Sequence, residues 1–541
     1  MKMVRYVALV TAGLGCACAP QPSPDLGRIF ATWNSPASPG CAIGIRQDGQ
    51  TRLAAFGSAD LEHRVPNSPA SIFEAGSVSK QFTAAAVLLL AQEGKVGLDD
   101  DIRKYLPEMP DYGATITIGH LLSHTSGLRD WGTLAEIAGW PRTTRAMNQA
   151  DVLAMAARQT GLNYAPGAEY SYTNTGYNLL AIIVERVSGQ PFPRFTHDRI
   201  FQPLGMTSTS WRDDFRRIVA DRSIAYVRNG TTYEQQMPFE NVIGNGGLLT
   251  TVKDLLAWND ALNQQRLGSF VAREMERQAL LNDGRRIKYA RGVRVTSRNG
   301  LAEISHDGAT AGYRTWLARF PSRNLSIAIL CNAGDVGRSA ALHGYEIADP
   351  LIGQAPGPAG AEAHMPGRAG LFVSERTGMP FALVWANGAL RKESGEILRI
   401  ESADALRAGD GLLRFEGNDK FVLEDNDGNA EPHLRNAPAV ADRAALSAYA
   451  GSYKSDEIDT VYAVEEREGH LAMQNRGRPA AAAMRLDPIY KDAFLYDTAS
   501  GAHTGLARFR RDAGGRVTAL DIGLTRRVRA LRFSRIAPAR N

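Results

Sequence analysis

The alternation of apolar and polar positions divides the chain into two regimes. From Leu26 to about Gly353, apolar runs of strand length alternate with longer runs of helical period. Gly40 to Arg46 reads as a short strand, and Asp48-Gly49 is a hairpin turn into a second strand over Leu53 to Gly57. Phe82 to Gln92 is rich in Ala and Leu and is followed by Gly94, which predicts a buried helix. Leu179 to Val187 predicts another. Tyr313 to Phe320 and Leu325 to Cys331 are two strands joined by Pro321-Ser322-Arg323-Asn324, and Arg338 to Leu351 returns to a helical period. Strands at both ends with helices between them predict an α/β (α+β) domain over 27–353, its sheet assembled from the two termini.

Pro350 to Gly370 is dominated by Pro, Gly and Ala, so 354–370 reads as a linker. Short alternating segments follow, among them Leu412 to Leu423, Val461 to Met473 and Val517 to Ile522, punctuated by Gly, Asp and Asn. They predict two small antiparallel β-barrel domains, 371–443 and 444–541.

At the start, Lys2 and Arg5 precede an apolar run, Val7 to Leu14, that is too short to span a bilayer. Residues 1–20 therefore read as a signal peptide, and a periplasmic or secreted location is expected. Cys16, after Leu-Gly, is the candidate for a lipid anchor. Composition changes this picture little. Hydrophobic residues are 44% and charged residues 22%, and the formal balance of +5 is too small and scattered for a nucleic-acid partner. Four cysteines over 541 residues exclude a disulfide scaffold, and no C-x-x-C or H-E-x-x-H motif suggests a metal. No cofactor is expected.

Three short motifs carry chemistry. Ser77-Val78-Ser79-Lys80 stands at the mouth of the Phe82 to Gln92 helix, where positions three apart share a face and hydroxyl and amine can meet. A helix N-terminus also favours a developing alkoxide and lowers a nearby lysine's pKa. Tyr172-Thr173-Asn174 follows the Pro166-Gly167 turn and precedes an apolar helix; a tyrosine near a lysine can carry protons, and Asn offers both a donor and an acceptor. Without Lys80 nearby, a core tyrosine before a capped helix explains the same residues. His306-Asp307-Gly308 precedes the Tyr313 strand, with a glycine that permits close backbone approach. His503-Thr504-Gly505 repeats the His-x-Gly pattern, so that motif alone is not specific.

The order Ser-x-x-Lys, Tyr-x-Asn, His-x-Gly resembles that of the penicillin-recognising serine hydrolases. The chain from about 27 to 353 resembles the branch that contains class C β-lactamases, D-aminopeptidases and related esterases. Leu121 to Leu128 and Gly246 to Thr251 look like structural segments of that family, and His120 and His124 read as structural rather than metal ligands. The absence of G-x-S-x-G counts against an α/β-hydrolase. The resemblance implies Ser77 as the acyl-accepting nucleophile, with Lys80 and Tyr172 sharing its activation. It implies Asn174 as holder of the substrate amide, and the backbone N–H groups of Ser77 and Ala309 as an oxyanion hole beside Gly308.

One departure from the family pattern bears on substrate. Where many relatives carry Lys-Thr-Gly, this chain has His306-Asp307-Gly308, so a fixed cation for a substrate carboxylate is missing there, with Arg314 as a substitute. His-x-Gly and the tail, Tyr449 to Asp459 and Phe509 to Gly515, resemble D-aminopeptidases, in which a loop from the second barrel enters the cleft. The corresponding stretch here, Asp497 to Thr504, looks shorter. Length, leader and domain set also resemble the linear-microcystin peptidases, which open a D-Ala–Leu bond. The expected function is a serine peptidase acting on small peptides at amide bonds of D-residues. The alternatives on the same site are a D-aminopeptidase, an esterase or a β-lactamase, and the least favoured is a non-enzymatic ligand-binding envelope protein. Cys41 and Cys331 lie on strands expected to be neighbours, and free thiols are the expectation, because cross-strand geometry rarely suits a disulfide.

Overall fold

The computed structural model describes residues 24–537 apart from 143, 337–338, 354–360, 410, 426, 440–442, 478–481, 499–500 and 502. The expected leader, 1–20, with Cys16, and 354–360 of the expected linker, lie outside the described residues.

The first sheet is antiparallel and six-stranded. Its strands are β1 (Cys41–Gln47), β2 (Gln50–Phe56), β3 (Arg294–Arg298), β4 (Leu301–Thr310), β5 (Tyr313–Phe320) and β6 (Leu325–Cys331), in the order β3-β4-β5-β6-β1-β2. The first strand thus lies between β2 and the last one. Strand β6 is buried along its whole length because both its faces are covered. Ala328 and Leu330 face the helical core, with α1 (Ser79–Gln92), and Ile327, Ile329 and Cys331 face the opposite cluster. Between β2 and β3 the chain also builds α2 (Trp131–Ile137), α3 (Gln149–Ala157), α4 (Asn174–Ser188) and α5 (Val252–Asn263). After β6 comes α6 (Ser339–Ile352), on the face of the sheet away from α1.

Cys41 and Cys331 are directly opposite in the β1–β6 register and form a disulfide, which corrects the expectation of free thiols. Their Cα atoms are 4.0 Å apart, which makes them the close pair of an antiparallel ladder rather than the wide one. Pairing residues 290 positions apart, the bond joins the two ends of this first domain.

The remaining chain forms two antiparallel β-structures. The second is a closed eight-stranded barrel from Gly451–Ser455 to Val528–Ile536, and its last two strands are β7 (Val517–Leu524) and β8 (Val528–Ile536). The first, with strands between Gly370 and Asn436, is an open eight-stranded sheet rather than a barrel. Its end strands, Ala389–Lys392 and Arg399–Ile400, are not paired with each other. The strand Arg399–Ile400 has only two residues, too few for a continuous closing ladder.

The barrel is not a separate bead on the chain. Trp131, Leu134 and Ile137 of α2 and Val152 and Met155 of α3 share one apolar cluster with barrel residues such as Leu471, Leu520 and Phe533. The Tyr462 hydroxyl donates to the Ile137 carbonyl at 2.5 Å, and Arg129 pairs with Glu457.

Candidate active site

Ser77 lies in a 3-10 turn, Gly76–Val78, that runs straight into α1. This places its hydroxyl at the domain's partly open cleft, while Lys80, on the first turn of α1, is fully buried. The Lys80 Nζ lies 3.2 Å from Ser77 Oγ, 2.9 Å from Asn174 Oδ1 and 2.6 Å from the Asn245 carbonyl oxygen. Burial drives the Lys80 pKa well below its ordinary value, the charge of Arg527 adds to the fall, and Asp130 opposes it. A neutral amine there donates two N–H groups to Asn174 and Asn245 and keeps a lone pair for the Ser77 hydroxyl proton.

The carbonyl of Asn245 is held by neighbours on both sides. Ser79 Oγ accepts from the Leu248 amide at 3.1 Å, and Thr83 Oγ1 donates to the Gly244 carbonyl at 2.8 Å. Asn245 was missed in the sequence, although it immediately precedes the Gly246 to Thr251 segment. A main-chain acceptor leaves no side-chain signature.

Tyr172 stacks under Lys80, whose Nζ lies 4.7 Å from the ring centroid. Burial pushes the Tyr172 phenol up, with Ser77 and then Arg527 opposing the rise. Its hydroxyl is buried and has no hydrogen-bond partner among the described residues. Asn174 opens α4, and the buried Asp130 carboxylate accepts its backbone N–H at 2.7 Å, in place of an N-cap side chain.

On the other side, β4 runs against the Ser77 turn. Gly76 has φ +51°, and a Cβ added to it would stand 2.7 Å from the Ala309 nitrogen. The backbones of Gly76-Ser77 and Gly308-Ala309 therefore meet edge to edge, the approach an oxyanion site between two N–H groups requires. His306 is buried among aromatic rings; Tyr289 Oη lies 3.0 Å from Nε2, and Nδ1 faces the Asp307 carbonyl. A carbonyl can only accept, so Nδ1 carries the proton and Nε2 accepts from Tyr289, a residue without a sequence signal. Burial, then Arg294, lowers the His306 pKa to about 3, which makes it a neutral partner at physiological pH.

The remaining candidates separate cleanly. His120 caps its own short helix by accepting the Thr117 amide at 3.2 Å, and His124 accepts the Thr173 amide at 3.3 Å, so both are structural. His503 pairs with Glu136 on α2. Arg314 shares a face of β5 with Trp316, on the α6 side, and donates to the carbonyls of Ala311 and Tyr313, so it is not the substitute cation. The cation in the cleft is Arg527, whose guanidinium lies 5.2 Å from the Tyr172 ring centroid. It belongs to the turn between β7 and β8, so this hairpin of the barrel reaches the site, while 499–500 and 502 of the Asp497 to Thr504 stretch lie outside the described residues. Among the described residues, the carboxylate and imidazole groups close enough to share an ion are those of Asp60, Glu62 and His63, which are not among these site residues.

A family model described as β-lactamase matches residues 28–352. The chain belongs to the β-lactamase family. This family member is also 28% identical to a D-aminopeptidase of Cereibacter sphaeroides over 91% of its own length and 95% of the relative's. It is 32% identical to penicillin-binding protein 4* of Bacillus subtilis, over 51% of this chain and 64% of that one. Among solved structures, the D-amino acid amidase of Ochrobactrum anthropi SV3 superposes with a TM-score of 0.52 at 21% identity, covering 60% of this β-lactamase-family chain and 96% of the amidase. The fold is thus β-lactamase-like and the protein is a serine hydrolase.

Proposed function

We propose that this enzyme is a peptidase that cleaves the amide bond after a D-residue through an acyl-enzyme on Ser77. The observation that carries the reading is the fully buried Lys80 Nζ, 3.2 Å from Ser77 Oγ, opposite the Gly308-Ala309 edge. Neutral Lys80 takes the Ser77 proton as Oγ attacks the carbonyl carbon, and the oxyanion forms between the N–H groups of Ser77 and Ala309. Lys80 and Tyr172 then pass that proton to the departing amine as the C–N bond breaks. In the second half, water gives a proton to the same pair and displaces Ser77 Oγ, which recovers it. The Asn174 Oδ1 is taken by Lys80, so its Nδ2 donates to the substrate carbonyl.

D-residue specificity is supported by the D-aminopeptidase that matches nearly end to end and by the D-amino acid amidase with the same fold. An N-acylated substrate is favoured over a free amino terminus, because the cations Arg294 and Arg527 flank the site. The carboxylates of Asp130 and Asp307 are committed to internal partners and leave none for an ammonium. The reading also puts the protein outside the cytoplasm, with support from the leader-like 1–20 and from the disulfide.

The test is kcat/KM for an N-acyl-D-Ala-L-Leu peptide, its L-Ala counterpart, D-Ala-p-nitroanilide, nitrocefin and a short-chain ester, with the D-Ala–Leu bond of a linearised microcystin as a further substrate. The acylated D-peptide should lead. If the L-Ala peptide matches it, or nitrocefin or the ester overtakes it, the peptidase reading fails. A lead for D-Ala-p-nitroanilide would make the enzyme a D-aminopeptidase.

A further inference from the structure

The turn between β7 and β8 carries three arginines in five residues, Thr525-Arg526-Arg527-Val528-Arg529. Arg526 pairs with Asp425 and Glu431, and Arg529 pairs with Glu169. Arg527 forms no ion pair and no side-chain hydrogen bond among the described residues; its guanidinium faces Tyr172, and its charge favours the ionised form of the buried Asp130. The acids nearest this site are already committed. Asp130 accepts from the Asn174 and Thr133 amides and the Thr133 hydroxyl, and Asp307 pairs with Arg294.

The turn is fastened to the catalytic domain by its backbone. The Arg527 carbonyl accepts from the Asp130 amide at 3.2 Å and from Asn163 Nδ2 at 2.8 Å, and Ser171 Oγ donates to the Arg526 carbonyl at 3.0 Å. Asn163 Oδ1 also accepts from the Arg529 amide at 3.1 Å. These bonds fix where the Arg527 side chain starts while leaving its guanidinium without an acceptor among the described residues. The guanidinium of half-buried Arg527, facing Tyr172, matches a carboxylate in charge and in fork geometry.

We infer that Arg527, delivered by the barrel, binds a carboxylate of the substrate, so that the peptides this enzyme prefers are acidic ones. The inference rests on the peptidase reading above for the reaction, but not for the binding. It gives the C-terminal barrel a specificity role: a cation that β4 lacks at His306 is supplied from a different domain.

Full-length protein should be assayed at low ionic strength with N-acetyl-D-Ala-L-Leu-amide, its free acid, and N-succinyl-D-Ala-L-Leu-amide. One acidic peptide should exceed the neutral one in kcat/KM by about 10-fold or more, the gain expected of a charge-assisted pair. The ratio should fall to near 1 in Arg527→Gln and recover in part in Arg527→Lys, a pattern that loss of packing alone would not produce. Binding is read without turnover in Ser77→Ala, by calorimetry with N-acetyl-D-alanine and N-acetyl-D-alaninamide. The acid should bind more tightly, and the difference should vanish when Arg527→Gln is added. An acid preference that survives Arg527→Gln in both measurements, or a neutral peptide preferred by the wild type, overturns the inference. Acid-selective binding through Arg527 without cleavage of any peptide would instead overturn the peptidase reading and leave the anion site standing.

Discussion

A methyl group on Gly308 would stand 2.2 Å from the carbonyl oxygen of Ala75 and 3.2 Å from the Ser77 nitrogen. No side chain can occupy that position unless the nucleophile turn and β4 move apart. Gly308→Ala should therefore cost about 100-fold or more in the acylation rate, comparable to losing one oxyanion donor. Single-turnover labelling by a fluorophosphonate checks this, with circular dichroism confirming a folded protein. Near-normal labelling would remove Ala309 from the oxyanion site.

The same reagent should modify Ser77 and no other serine, and Ser77→Ala should abolish labelling. Lys80→Ala and Tyr172→Phe should each lower kcat by roughly 100-fold or more, the scale of a lost acid–base partner. Activity retained in Lys80→Ala would place the base elsewhere.

Lys80 also leaves a thermodynamic signature. Its folded pKa lies well below the ordinary lysine value of 10.5, so the unfolded chain binds the extra proton between the two values. Stability from this group therefore increases as pH rises through that window and is lost on acidification. The slope of Tm between pH 7 and 9 should be smaller in Lys80→Met than in the wild type.

His306 is depressed too, from 6.5 to about 3, so its contribution to stability falls as pH drops between those values. His306→Gln should melt with a weaker acid dependence over that range. The pH profile of kcat/KM should show no inflection near 6.5 that this substitution removes.

Residues 27–353 alone would expose Trp131, Leu134 and Ile137, which the barrel covers. That fragment should aggregate or melt at a lower temperature than the full chain. A soluble fragment that melts in one cooperative transition at the temperature of the full chain would show that the domain folds without the barrel.

Cys41→Ser combined with Cys331→Ser removes a cross-link between positions 290 apart. The loss should be on the order of 2–5 kcal/mol, read as a shift in the denaturation midpoint. A non-reducing peptide map should recover the two cysteine peptides joined.

Local chemistry was legible along the chain wherever sequence neighbours are also spatial neighbours. Ser77 and Lys80 lie close together because the 3-10 turn and helix start keep positions three apart on one face. The strands Tyr313–Phe320 and Leu325–Cys331 follow from their apolar runs, and the order of three motifs was enough to suggest the family. What surrounds those motifs was decided by tertiary structure. The acceptors that hold Lys80 come from positions 94 and 165 residues away, one of them a main-chain carbonyl without a side-chain signal. The Cys41–Cys331 disulfide depended on strand register, since a one-residue slip would turn the two side chains to opposite faces. The cleft's free cation depended on a barrel hairpin docking beside Tyr172, while Arg314, nearer in sequence to His306, was carried to the other face by strand alternation. Residue types and short spacings specify which reactions are available; burial and long-range packing decide which charges remain unpaired, because both depend on contacts between segments far apart in the chain.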